Sequence, residues 1–152
     1  MKTYRYGATG ALTDEYEKAL LELQIVLSGI SNAEFIEIKN PSLNDNSQSI
    51  RNIITHVVRS GYSYANYIRN RFGEEVFANE FKIETIEDAN NNLEYMFLYT
   101  QETLKDKGYL AHNDMMHLLI KTTWTTYDLE AMIEHSIVHI LRHRLQIQKM
   151  LR

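Results

Sequence analysis

The chain predicts an all-α protein, a four-helix bundle, on three observations. Four segments of roughly 18 to 25 residues carry apolar side chains three or four positions apart, the spacing of one helical face. Stretches rich in Gly, Asn, Asp and Ser separate them. No segment shows the strong apolar-polar alternation of a strand. With 152 residues, 44% hydrophobic and 24% charged, the composition fits one globular domain over residues 1–152 with a real core.

The first helix is expected from about Thr13 to Ile30, its stripe formed by Tyr16, Ala19, Leu20, Leu23, Val26, Leu27 and Ile30, with Thr13 or Asp14 as cap. Residues Glu34 to Ser47 contain the only proline, Pro41, and read as a long loop with a short extended piece at Phe35–Ile38. Ser49 caps the second helix, which carries Ile50, Ile53, Ile54, Val57, Gly61, Tyr64, Ala65 and Ile68 and stops near Gly73. Glu74 to Glu84 is a connection. A third helix follows from about Ile86 to Lys107, halted by Gly108. Tyr109 to Thr126 reads as an ordered loop with a short helix at His117–Ile120, because the run Thr122-Thr123-Trp124-Thr125-Thr126 is β-branched and poor for a helix. Asp128 caps the fourth helix, which runs nearly to Arg152.

Sixteen basic residues against 20 acidic ones leave a net charge of -4, which offers no electrostatic pull toward nucleic acid or an anionic membrane. The basic residues near the end, Arg142, Arg144, Lys149 and Arg152, suit the macrodipole of a last turn. Cysteine is absent, so disulfides, thiolate nucleophiles and thiolate metal sites are excluded. The N-terminal residues lack the apolar run of a secretory signal, and no stretch approaches about 18 apolar residues, so a cytoplasmic, membrane-free protein is expected.

The chemistry-bearing pattern is His135, His139 and His143, three imidazoles at four-residue spacing on the fourth helix. Two rings one turn apart can converge on one metal ion. An ideal helix turns about 100° per residue, so with Leu129 at zero, Ile133, Ile140, Ile147 and Leu151 lie within about 40° and define the core direction. His143 falls about 40° from it, His139 about 80° and His135 about 120°, which favours the pair His139 and His143 over His135 and His139. The best donor for the missing half is His56, at the edge of the second helix's stripe. His112 and His117 have no spacing that argues for a site. No glutamate is followed three residues later by histidine, which argues against a di-iron carboxylate centre, and no His-Glu-x-x-His string occurs. The turn Gly7-Ala8-Thr9-Gly10 is too bare for a phosphate-binding loop.

The string from Glu134 to Ile147, together with Ser49-Ile50-Arg51-Asn52-Ile53-Ile54-Thr55-His56-Val57-Val58, resembles the DinB/YfiT-like superfamily. The resemblance is clear over the second and fourth helices, and chain length and helix count agree. It implies a four-helix bundle and a metal held by one histidine of the second helix and a His-x-x-x-His pair of the last. Carried over, these fall on His56, His139 and His143, with His135 as the alternative should the register shift by a turn. It further implies zinc or nickel as the divalent ion. Some relatives are thiol-dependent S-transferases or maleylpyruvate isomerases that use a low-molecular-weight thiol, and many others have no known activity.

Three neutral imidazoles leave at least one coordination position open, as in a catalytic site. The expected function is a metal-dependent enzyme, a hydrolase or a thiol-dependent S-transferase, acting on a small-molecule substrate. Any thiol must come from that side, because the chain has no cysteine. Arg59, one turn beyond His56, and Arg142 are the candidates for substrate carboxylates. The competing reading is a non-catalytic binding or dimerisation module, in which the histidines are structural and Tyr62, Tyr64, Tyr67, Phe72 and Phe77 line an apolar pocket or interface. A homodimer through helix faces is compatible with either.

Overall fold

The computed structural model describes residues 1, 3–77 and 80–152 and is mostly helical. Four long helices dominate: α1 (Gly7–Ser28), α3 (Ile50–Arg71), α4 (Ile86–Leu104) and α6 (Leu129–Met150). Two short ones, α2 (Asn32–Ile36) and α5 (His112–His117), lie in the connections, and a two-stranded antiparallel hairpin, β1 (Ile120–Lys121) and β2 (Thr126–Tyr127), precedes α6. The long helices form a closed ring of neighbours: α1 packs on α6, α6 on α3, α3 on α4, and α4 on α1. Among the described residues no helix is long and apolar enough to cross a membrane.

Helix boundaries follow local chemistry. Ser49 receives the Asn52 N–H at the start of α3, and Asp128 receives the Ala131 N–H at the start of α6, as their sequence positions predict. At the other end of α3, Gly73 takes φ +68°, the Glu74 N–H donates to the Arg69 carbonyl and the Gly73 N–H to that of Asn70. This is the Schellman pattern, which favours a residue without a Cβ at the left-handed position.

Several expectations are corrected. α1 begins at Gly7, six residues before the expected start, so Thr13 and Asp14 are not caps. Thr13 donates its hydroxyl to the Thr9 carbonyl, and Asp14 pairs with Arg5. Phe35 and Ile36 are helical rather than extended, because Ser31 and Glu34 close a capping box that nucleates α2. α4 stops at Leu104, and Lys105–Lys107 tighten into a 3-10 turn. The short helix before α6 is His112–His117 rather than His117–Ile120. Beyond it, Ile120 pairs with Tyr127 and Lys121 with Thr126, so the β-branched threonines form a hairpin.

The core has two parts. Tyr16, Leu23 and Leu27 of α1, Ile53, Ile54 and Val57 of α3, Leu93 and Met96 of α4, and Ile140 and Ile147 of α6 form the larger. Tyr64, Ile68, Leu104, Met115, Ile120, Leu129, Met132 and Ile133 form the smaller, under the hairpin and α5. Ile137 packs against both. α3 and α4 approach closely at Gly61, where an added Cβ would lie 2.0 Å from the Met96 sulfur.

Candidate metal centre

α3 and α6 face each other over much of their length, and the seam between them carries the histidines. Their buried rows, Ile53, Val57, Ile68 and Ile133, Ile140, Ile147, fix the rotation of each helix. That rotation leaves His56 and His143 half-buried at the edge of the seam and His139 deeper, with 9% of its surface exposed.

The three rings converge through their Nε2 atoms. His139 Nε2 lies 3.2 Å from His56 Nε2 and 3.2 Å from His143 Nε2, and one nitrogen from each ring falls within 4.8 Å of the others. A single Nε2 carries at most one proton, so the His139 nitrogen cannot donate along both vectors. Where neither nitrogen of a pair carries the proton, lone pairs facing one another across 3.2 Å repel, and a cation between them relieves that repulsion. With metal-nitrogen bonds of about 2.0–2.1 Å, two ligands of a tetrahedral ion stand about 3.3 Å apart, close to the observed spacing. The donor set therefore fits a divalent ion, and His56, His139 and His143 can hold one.

The protonation states suit that role. Burial, then the neighbouring His143, His56 and His135, and finally Arg142 push the pKa of His139 down to about 3. Burial also lowers His56, helped by His143 and Arg59, and lowers His143 against the opposing effect of Gln146. All three shifts favour the neutral imidazole, the form that offers a lone pair to a metal. The Nδ1–H of His143 donates to Gln146 Oε1 at 2.8 Å, which places the proton on Nδ1 and frees Nε2 for the centre. Sequence reading assigns Gln146 no role, although its i,i+3 spacing from His143 is the signal that finds it.

His135 lies outside this convergence. Its ring packs against Tyr64 at 5.0 Å, Tyr127 at 5.2 Å and Trp124 at 6.2 Å, and its Nδ1 is 3.4 Å from the Tyr127 hydroxyl. That hydroxyl accepts the Trp124 Nε1–H at 3.0 Å. Tyr64 in turn sets its ring edge against His139 at 5.4 Å. The hairpin thus delivers an aromatic wall beside the histidines, with Trp124 half-exposed at its rim. The β-branched run conceals this wall from a sequence reading, because only hairpin closure aims Trp124 at α6.

His112 is an exposed partner of Glu130, and His117 Nδ1 bonds the Asn113 carbonyl; neither approaches the centre. Arg59 and Arg142 are exposed. Arg59 lines a groove with Tyr62, Ser63 and Tyr67, and the charge of Arg142 is felt by His135, His139, His143 and Tyr64.

No family model matches the chain, and neither the curated proteins nor the solved structures give a match. The functional reading therefore stands on the geometry.

Proposed function

We propose that the chain is a DinB/YfiT-like four-helix bundle in which His56, His139 and His143 hold one zinc or nickel ion, and that it is a metal-dependent hydrolase or thiol-dependent S-transferase. The convergence of three imidazoles, with the His139 Nε2 at tetrahedral spacing from the other two, carries the reading. The closed ring of four long helices supports the bundle, and the all-imidazole donor set suits zinc or nickel.

A divalent ion with three protein ligands supplies Lewis acidity, lowering the pKa of a water or thiol that takes the open position. The chain's own groups prepare that position. Gln146 fixes the tautomer of His143. Tyr64 and the Trp124-Tyr127 pair cover the His139 and His135 side and restrict water there. Arg59 and Arg142 add positive potential at the rim, which favours an anionic substrate. With no cysteine in the chain, a thiol would enter as a second, low-molecular-weight substrate.

The test is elemental analysis of protein prepared without a histidine tag and incubated with zinc or nickel, for the wild type and His139→Ala. About one ion per chain in the wild type and almost none in the variant is expected. The lone tryptophan gives a second readout: nickel in the centre should quench Trp124, two ring contacts away from His139 through His135. Full retention of metal by His139→Ala overturns the ligand assignment. Negligible uptake by the wild type transfers the protein to the class of non-catalytic helical binding modules.

A further inference from the structure

The face of α3 that presents His56 continues past the centre as the floor of a groove. Arg59, Ser63, Tyr67 and Asn70 follow His56 by three, seven, eleven and fourteen residues, which places all of them within about 60° of it around the helix. Tyr62 and Phe81 close the sides, and the cavity measures about 340 Å³, at the lower end of the range for small-molecule sites. From Arg59 to Asn70 the helix rises about 16 Å, so the groove is long and narrow. Its Arg59 end is the one next to the histidines, one turn from His56.

The walls are fixed before any ligand arrives. Tyr62 stacks at a tilt on Tyr99 at 5.4 Å and faces Phe81 at 6.3 Å. The Tyr99 hydroxyl donates to Asn66 Oδ1 at 2.5 Å, and the Asn66 amide donates to the Phe77 carbonyl at 3.1 Å, which ties the connection before α4 to α3.

Charge makes the groove selective. Among the described residues no aspartate or glutamate lines it, and Arg59 is its one charged lining residue. Four other arginines are committed: Arg5 to Asp14 and Glu17, Arg69 to Thr103 and the Glu75 carbonyl, Arg71 to the Leu119 carbonyl, and Arg144 to Glu22. Arg59 makes no ion pair among the described residues. The larger cavity at the start of α1 lacks this property, because its cations Arg5 and Lys105 are already paired with acids and Asp106 also lines it.

We propose that this groove binds an elongated organic acid, its carboxylate on the Arg59 guanidinium and its aromatic or apolar body between Tyr62, Tyr67 and Phe81. The inference rests on the metal-centre reading in one respect: it brings the acid end of the molecule beside the ion. Occupation of the groove itself requires no ion.

The experiment is an amide-resolved NMR titration of the full chain with hydrocinnamate and with its neutral amide, hydrocinnamamide, on the zinc-loaded wild type, Arg59→Gln, Ser63→Trp and His139→Ala. Hydrocinnamate should shift the amides of residues 59–70 and bind roughly tenfold or more tighter than the amide analogue, the scale of a charge-assisted contact. Arg59→Gln should abolish that preference while keeping its zinc, and Ser63→Trp should block both probes. His139→Ala should lose zinc yet bind hydrocinnamate in the same groove. Equal binding of the two probes by the wild type, shifts centred elsewhere, or an undiminished preference in Arg59→Gln would overturn the proposal. Zinc uptake without probe shifts removes the groove and leaves the metal centre; probe shifts without zinc uptake do the reverse.

Discussion

At the residue scale the centre depends on keeping three imidazoles neutral in a partly desolvated seam. The depressed pKa of His139 has a consequence for folding. Between its folded value of about 3 and the unfolded value near 6.5, the unfolded chain binds a proton there that the native chain does not. Stability therefore rises with pH across this window and is lost as pH falls from about 6.5 toward 3, with His56 and His143 acting in the same direction. Thermal unfolding of metal-free protein at pH 7 and pH 4.5 should show a fall in Tm that is smaller in His139→Leu. An equal fall in both proteins would mean that His139 is not the source. Gln146 provides a second handle: Gln146→Leu removes the acceptor that holds the His143 tautomer, and zinc affinity by chelator competition should drop roughly 10- to 100-fold, with Tm in excess chelator little changed. Neither residue effect is legible from composition. The pairing of His139 with His143 follows from their angles to the apolar stripe, whereas the burial that neutralises His139 follows only once α3 covers it.

At the element scale, the four long helices are legible because each carries a stripe long enough to outweigh local ambiguity, and α3 and α6 also carry a side-chain cap in the expected place. The misread pieces are short. α2 depends on one capping box, and the hairpin depends on two paired residues at each side, so a few local bonds decide them rather than a period. The start of α1 escapes pattern reading because Gly7, Thr9 and Gly10 have low helix propensity and carry no long apolar side chain that would extend the stripe. Packing between elements gives a sharper test. Gly61 sits where α3 meets the buried Met96 of α4, so Gly61→Ala should overpack the contact and cost about 1–3 kcal/mol in urea unfolding. Combining it with Met96→Ala should cost less than the sum of the single changes, since the smaller side chain leaves room for the new methyl. Strict additivity would show that the two positions do not meet.

At the scale of the whole molecule the histidine centre joins helices far apart in the chain: His56 and His139 are separated by 83 positions. An ion held by both ties α3 to α6 in the native state only. At about a thousandfold excess over its Kd it should add about 4 kcal/mol to stability and raise Tm accordingly. The rise should vanish in His139→Ala and persist in His135→Ala, because His135 belongs to the aromatic wall and not to the convergence. A zinc-dependent shift of equal size in His139→Ala would place the stabilising site elsewhere.

The amino-acid sequence by itself determined that the chain is helical, where the body of each of its four long helices lies, and which histidines face inward, because a 3.6-residue period records each helix's buried side regardless of its neighbours. Only the tertiary structure decided that His56 meets His139 and His143, that Gln146 orients one of them, and that Trp124 walls the site. Those are relations between separate elements, set by how the buried faces of α3, α6 and the hairpin interlock, and no local period in the chain records them.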